Sequence, residues 1–161
     1  MSGRAWKLGD NISTDHIIPG RFFHLRSQPE KLAEHALEDV RPDFASGVSE
    51  GDFVVAGGNM GIGSSREHAP LVLKLKGVRA VLAKSFARIF FRNCINLGLP
   101  AIVCDTDSID DGDVLELDVE RGVVRNLTKG TELAFPPFPP MVREILDAGG
   151  LMGYLKRRRE S

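Results

Sequence analysis

Between residues 53 and 104 the chain alternates short, continuous apolar runs with stretches of helical period, and no other feature restricts the fold as tightly. Phe53-Val54-Val55-Ala56 reads as a strand ending at Gly57-Gly58. Residues 65–76 set Ala69, Val72, Leu73 and Lys76 at helical spacing, and Gly77 follows where a helix end favours a left-handed residue. Residues 78–83 form an apolar run broken only by Arg79, as in a strand buried on both faces. Helical period returns over 86–97, with Phe86, Ile89, Phe90, Cys94 and Leu97 on one face and Gly98 closing it. Residues 100–104 read as another buried strand. Strand, loop, helix, strand, helix, strand implies parallel strands joined by right-handed helical crossovers.

The flanks read differently. Residues 6–19 are short and polar, with Asp10, Thr14 and Asp15 as turn formers, and 21–28 is loop-like. Pro29 stands at a natural first helical position before a modest helix over 30–39. Beyond the alternating centre, Asp110-Asp111-Gly112-Asp113 is a turn, and residues 114–119 alternate like a strand. Gly122 sits where a hairpin can reverse into Val123-Val124, and 132–135 adds a further strand. A proline-rich stretch then leads into helices over 141–147 and from Leu151. The expected class is α/β, with a mixed, mostly parallel sheet, helices and a β-rich C-terminal part, arranged as one mixed sheet or two stacked ones.

At 161 residues the chain suits one domain, residues 1–161, large enough to bury a core without staples. Its 21 Lys and Arg balance 22 Asp and Glu, so it lacks the basic excess that a nucleic-acid partner requires. No apolar run reaches the roughly 18 residues of a membrane span, and the N-terminus lacks the apolar core of a signal peptide. Cys94 and Cys104, each in an apolar stretch, fit buried thiols in a reducing, cytoplasmic setting. Two cysteines alone hold neither zinc nor an iron–sulfur cluster, so no metal site is expected on this chain.

The stretch from Gly57 to His68, Gly-Gly-Asn-Met-Gly-Ile-Gly-Ser-Ser-Arg-Glu-His, lies between a strand and a helix, where open α/β sheets bind ligands. One reading is a helix cap by Ser64 or Ser65. The other is an anion site, in which backbone donors, two hydroxyls and the Arg66 guanidinium converge on a carboxylate. Spacing rules out a dinucleotide fingerprint and a P-loop, which favours small carboxylates over nucleotides. Asp15 beside His16 reads either as a capped polar turn or as a proton-handling pair. His68 reads as a structural hydrogen-bonder, and Arg88 and Arg92 as solvated or paired with carboxylates. The run Lys156-Arg157-Arg158-Arg159 complements a helix C-terminus and needs no ligand.

Three ordered segments carry a family resemblance. Gly58-Asn59-Met60-Gly61-Ile62-Gly63-Ser64-Ser65-Arg66-Glu67-His68-Ala69-Pro70 resembles the signature of the aconitase superfamily's swivelling domain. Asp10-x-Ile12-x-Thr14-Asp15-His16-Ile17-x-Pro19 and Ala83-Lys84-Ser85-Phe86-Ala87-Arg88-Ile89-Phe90-x-Arg92-Asn93 agree with it. Met60 replaces a more usual Phe. Length, motif order and Gly149-Gly150-Leu151 with Tyr154-Leu155 resemble the free-standing small subunits of the isopropylmalate dehydratase and homoaconitase type.

The resemblance implies a swivelling β/β/α domain in a hydro-lyase that isomerises a 2-hydroxy di- or tricarboxylate by dehydration and rehydration. It implies Ser64 as catalytic base, Ser65 and Arg66 as carboxylate holders, and supporting roles for Asp15, His16 and Gly63. It further implies a large-subunit partner, in a heterodimer or heterotetramer, that carries a 4Fe–4S cluster. Leu25-Arg26-Ser27 resembles the Leu-Arg-Thr of isopropylmalate enzymes, with Arg26 at the substrate. Phe22, Phe23 and Leu25 can wall an isopropyl group, as in leucine biosynthesis. Alternatively Arg21 or Arg26 holds a third carboxylate, as in a homoaconitase of lysine biosynthesis. A non-catalytic anion-binding domain is the remaining alternative.

Overall fold

The computed structural model describes residues 2–160; Met1 and Ser161, the ends of the expected domain, lie outside the described residues. Seven strands form one sheet: β1 (Ser2–Lys7), β2 (Phe53–Val55), β3 (Ala80–Ala83), β4 (Ala101–Val103), β5 (Val114–Asp118), β6 (Val123–Asn126) and β7 (Thr131–Ala134). Their order is β4-β3-β2-β1-β5-β6-β7. The first four run parallel, the last three extend the sheet antiparallel, and β6 again runs with β1. The expected mixed, mostly parallel sheet with a β-rich tail is borne out, as a single sheet.

The strand at the join is the one the sequence conceals. Residues 6–19 read as a polar lead-in, yet β1 occupies the middle of the sheet. Its first half pairs antiparallel with β5, Ser2 opposite Glu116, and its second half parallel with β2, Lys7 opposite Val55. Only Ala5 and Trp6 of this strand are buried, so it has no apolar run to read. The carboxylate of Asp52 holds it in place, accepting from Arg4 N, Trp6 Nε1 and Ser49 N, each at 2.9 Å.

Alternation along the strands sends Trp6, Val54 and Val81 to one core, against the helices, and Ala5, Phe53 and Leu82 to another. Leu115, Val124 and Phe135 from the antiparallel part close over that second face. Burial on both faces explains the unbroken apolar runs of β2 and β3. Helices α1 (Thr14–Ile17), α2 (Pro29–Ala33), α3 (Phe44–Gly47), α4 (His68–Leu75), α5 (Arg88–Asn96), α6 (Pro140–Asp147) and α7 (Leu151–Glu160) complete the fold. A 3-10 turn spans Gly20–Leu25, in place of the expected loop.

Two helices differ instructively from expectation. The helix expected to run to residue 39 ends at Ala33, because buried Leu37 takes φ 58° and donates its N–H to Ile17 O. The helix expected from residue 65 starts at His68. A start at 68 puts Pro70 in the first turn, where no N–H is needed; a start at 65 would bury the ring in the helix interior. Ser64 and Ser65 therefore belong to a loop. Neither caps α4, whose N-cap position is Glu67 with no side-chain cap.

Candidate active site

The glycine-rich loop is built by close backbone contact with the chain that follows β1. Asp10 Oδ1 accepts the N–H of Gly58 at 2.8 Å, and a Cβ on Gly57 would lie 1.9 Å from that oxygen. Asn11 and Asn59 both take positive φ, joined by Asn59 Nδ2 donating to Asn11 Oδ1 at 2.9 Å. Gly61 donates to Ile12 O at 2.7 Å and Thr14 to Ile62 O at 2.8 Å. Asn59 N donates to Ser85 Oγ, and Met60 bridges Phe86. Segments far apart in sequence are thereby laced into one unit.

That unit encloses a pocket of about 280 Å³. One wall is Thr14, Gly61, Gly63, Ser64, Ser65 and Arg66; the other is Ala87, Arg88, Ile89, Phe90 and Asn93 at the start of α5. The sequence-expected Ser64, Ser65, Arg66 and Gly63 are thus brought together. Both serines are exposed, and neither hydroxyl makes a hydrogen bond among the described residues.

Arg66 lies over the Phe23 ring, 4.6 Å from its centre. Its Nη1 is 3.9 Å from Asp15 Oδ1, is buried, and has no hydrogen-bond partner. Asp15 Oδ1 also accepts from Gly20 N at 3.0 Å, so this carboxylate both shapes the turn and faces the guanidinium. His16 is engaged elsewhere. Its Nδ1 accepts from Ser13 N at 2.9 Å, closing a capping box at α1. It does not line the pocket.

The loop before α2 is arranged around aromatic platforms. Arg26 is exposed, lies over the same Phe23 ring at 5.4 Å, and is not part of the pocket wall. Arg21, a candidate for a third carboxylate, is instead chelated by Asp39 and Glu38 at 2.7 to 3.0 Å, and the Asp39 hydrogen bonds raise its pKa further. Phe22 stacks on His35 and, like Phe23 and Leu25, rests on the helix-side core. His68 meets the Phe23 ring edge-on at 5.5 Å.

Reading the sequence missed Thr14, Arg88, Ile89 and Asn93 as pocket residues. Ile89, expected on the buried face of α5, is half exposed and faces the cavity. Arg88 has no ion pair among the described residues. The available signals were the four-residue spacing of Ile89 and Asn93 and the place of all four residues inside the resemblance-bearing segments.

Cys94 and Cys104 are buried free thiols; burial pushes the first far up and the second, with help from Asp105, up to about 11. No group of three or more His, Cys, Asp or Glu among the described residues is placed to hold a metal ion. The residues present do not fit an iron–sulfur cluster.

This fold and this loop define the aconitase C-terminal domain class: the profile of that family, described as "Aconitase C-terminal domain", matches residues 42–106. At full length the chain is 60% identical to 3-isopropylmalate dehydratase small subunit 2 of Archaeoglobus fulgidus, covering 98% of this chain and 95% of the relative. It is 57% identical to small subunit 1 of the Thermotoga maritima enzyme, with the same coverage. The crystal structure of 3-isopropylmalate dehydratase from Methanocaldococcus jannaschii superposes with a TM-score of 0.93 at 46% identity, over 98% of this chain and 94% of the other. The chain belongs to the family of 3-isopropylmalate dehydratase small subunits.

Proposed function

We propose that this chain is the base-bearing half of a hydro-lyase that interconverts 2-isopropylmalate and 3-isopropylmalate by removing and re-adding water, a step of leucine biosynthesis. The observation that carries the reading is the convergence of two unpartnered serine hydroxyls and Arg66 on one small pocket. Ser64 takes the proton from the substrate carbon next to the one bearing the hydroxyl, and returns it in the reverse direction. A serine hydroxyl is a weak base until its alkoxide is stabilised, so positive potential must surround it. Arg66 is one nearby source, and the open N–H groups of the loop around Gly63 are another. Arg66 and Ser65 hold a substrate carboxylate, with the planar guanidinium set by Phe23 beneath it and Asp15 at its edge. In this reading Arg26, which lies over the same Phe23 ring but outside the pocket wall, reaches the bound acid only by turning from that ring. His16 supports the site only by capping the turn that carries Asp15.

Departure of the hydroxyl is assigned to groups outside this chain, on a large-subunit partner. The partner in this reading carries a 4Fe–4S cluster, and the assembly is a heterodimer or heterotetramer. In this reading the chain works in the cytoplasm as a single swivelling domain. No helix of the described residues is long and apolar enough to cross a membrane. The isopropylmalate reading is favoured over a homoaconitase because Arg21 is tied to Asp39 and Glu38 rather than open to a third carboxylate. A purely anion-binding role leaves the pair of free hydroxyls without a purpose.

The test is anaerobic reconstitution with the large subunit, assayed on isopropylmalate and homoaconitate in parallel. Ser64→Ala should lower kcat by several orders of magnitude with folding and subunit pairing intact. Turnover within about tenfold of wild type, ~1.4 kcal/mol in barrier, would remove the base assignment. Arg66→Lys keeps the charge but loses the fork, and KM for isopropylmalate should rise.

A further inference from the structure

The start of α5, across the pocket from Ser64, has no role in the reaction described so far, and three features around the cavity ask for an anion. Arg88 is the first residue of the nine-residue helix α5, so its side chain leaves the backbone at the positive pole of the helix dipole. No acidic residue lies in that first turn, the N-cap Ala87 supplies no side-chain acceptor, and Arg88 has no carboxylate partner among the described residues. Arg66 adds a second cation to the same 280 Å³ cavity, and like charges around one pocket are unfavourable while it lacks an anion. Thr14 supplies the third feature. The residue is 2% exposed, yet its Oγ1 has no hydrogen-bond partner. It faces the loop, 3.3 Å from where a Cβ on Gly63 would stand. Buried hydroxyls are ordinarily satisfied, so an orphan lining a cavity points to a ligand.

We infer that Arg88, the N–H groups of the first turn of α5 and the Thr14 hydroxyl form a second carboxylate subsite, which holds the other end of a dicarboxylate whose first end lies at Arg66. The inference rests on the dicarboxylate reading above and extends it to the space between Thr14 and the start of α5. Two anchors across the cavity fix the rotation of the carbon chain, and that rotation presents one particular C–H to Ser64. A single carboxylate anchor leaves that rotation free.

In the reconstituted enzyme, Arg88→Gln and Thr14→Val should each raise KM for isopropylmalate at least tenfold, and kcat should fall with it because one anchor no longer fixes the C–H before Ser64. Thr14→Ser, which keeps the hydroxyl, should restore the wild-type KM. Arg92→Gln, one turn further along α5 and outside this cavity, should leave KM unchanged. The two monomethyl esters of isopropylmalate, used as inhibitors, identify the carboxylate concerned. Arg88→Gln should weaken one ester tenfold and leave the other unaffected. An unchanged KM in Arg88→Gln, or equal weakening of both esters, would overturn the subsite.

A binding measurement separates this inference from the assignment of the reaction. Succinate titrated into the full chain should shift the amide resonances of Arg88, Ile89 and Phe90, and Arg88→Gln should abolish those shifts. If reconstituted wild type fails to turn over isopropylmalate while the succinate shifts appear, the reaction is wrong and the subsite stands. If succinate leaves those amides unmoved, the subsite is wrong whatever the enzyme turns over.

Discussion

Replacing Gly61 by Ala probes how tightly the two walls of the pocket are joined. Gly61 takes φ +86°, a conformation that costs an L-residue about 1–2 kcal/mol. A Cβ built there would lie 2.1 Å from Phe90 Cγ and 2.3 Å from Phe90 Cβ. Phe90 is 2% exposed and anchored in α5, so it cannot simply swing away. Overpacking of this kind adds about 1–3 kcal/mol. The sum, roughly 2–5 kcal/mol, is a large share of the ~5–15 kcal/mol that holds a domain together. Urea unfolding followed by circular dichroism reads it directly. Adding Phe90→Ala separates the two contributions. By itself that truncation should cost about 3–5 kcal/mol. In the Gly61→Ala background it should cost ~1–3 kcal/mol less, since the new methyl occupies the vacated space and only backbone strain persists. A loss below about 1 kcal/mol for Gly61→Ala, or strict additivity in the double variant, would refute the close packing of loop on helix. Because Gly61 and Phe90 both wall the pocket, kcat/KM should also fall at temperatures where the variant is fully folded.

Other consequences follow from individual contacts. Asp52→Ala leaves the buried Trp6 Nε1 and two backbone donors without their acceptor, and denaturant unfolding should show a loss of about 2–4 kcal/mol. The hydrogen bond from Arg41 holds the Asp111 carboxyl below its ordinary range, so its stabilisation is present above about pH 4 and is lost as pH falls through the lowered value. Asp111→Asn should therefore flatten part of the acid limb of a stability-versus-pH curve, and an unaltered limb would contradict the pairing. Burial holds both thiols protonated, so Cys94 and Cys104 should resist a thiol reagent at pH 8 until urea unfolds the chain.

Local period and local chemistry were legible in the amino-acid order. The alternation over 53–104 led to β2, β3 and β4 and to the two helices between them, since a buried strand and a one-faced helix write different spacings. The hairpin at Gly122 and the helices after the prolines were equally local. Ser64, Ser65 and Arg66 stood out because two hydroxyls and a guanidinium beside several glycines are an uncommon set, and the motif order carried the family resemblance.

Strand β1 was not legible, because Ser2, Arg4 and Lys7 are held by pairing on both sides and by the distant Asp52 rather than by their own hydrophobicity. Nor was the early end of α2, which depends on Leu37 bonding to Ile17 across the core. Arg21 and Arg26 looked alike in sequence; only the fold ties one to Asp39 and lays the other on Phe23. Arg88 read as a solvated cation because a helical period reports which face is apolar and says nothing of which loop stands opposite. Residue type and spacing therefore decided which groups this chain possesses and which elements carry them. The close contacts of Gly57 and Gly61 decided which of those groups meet, since such contacts form only when segments distant in sequence, such as Gly57 with Gly9 and Lys84 or Gly61 with Ile12 and Phe90, close on one another.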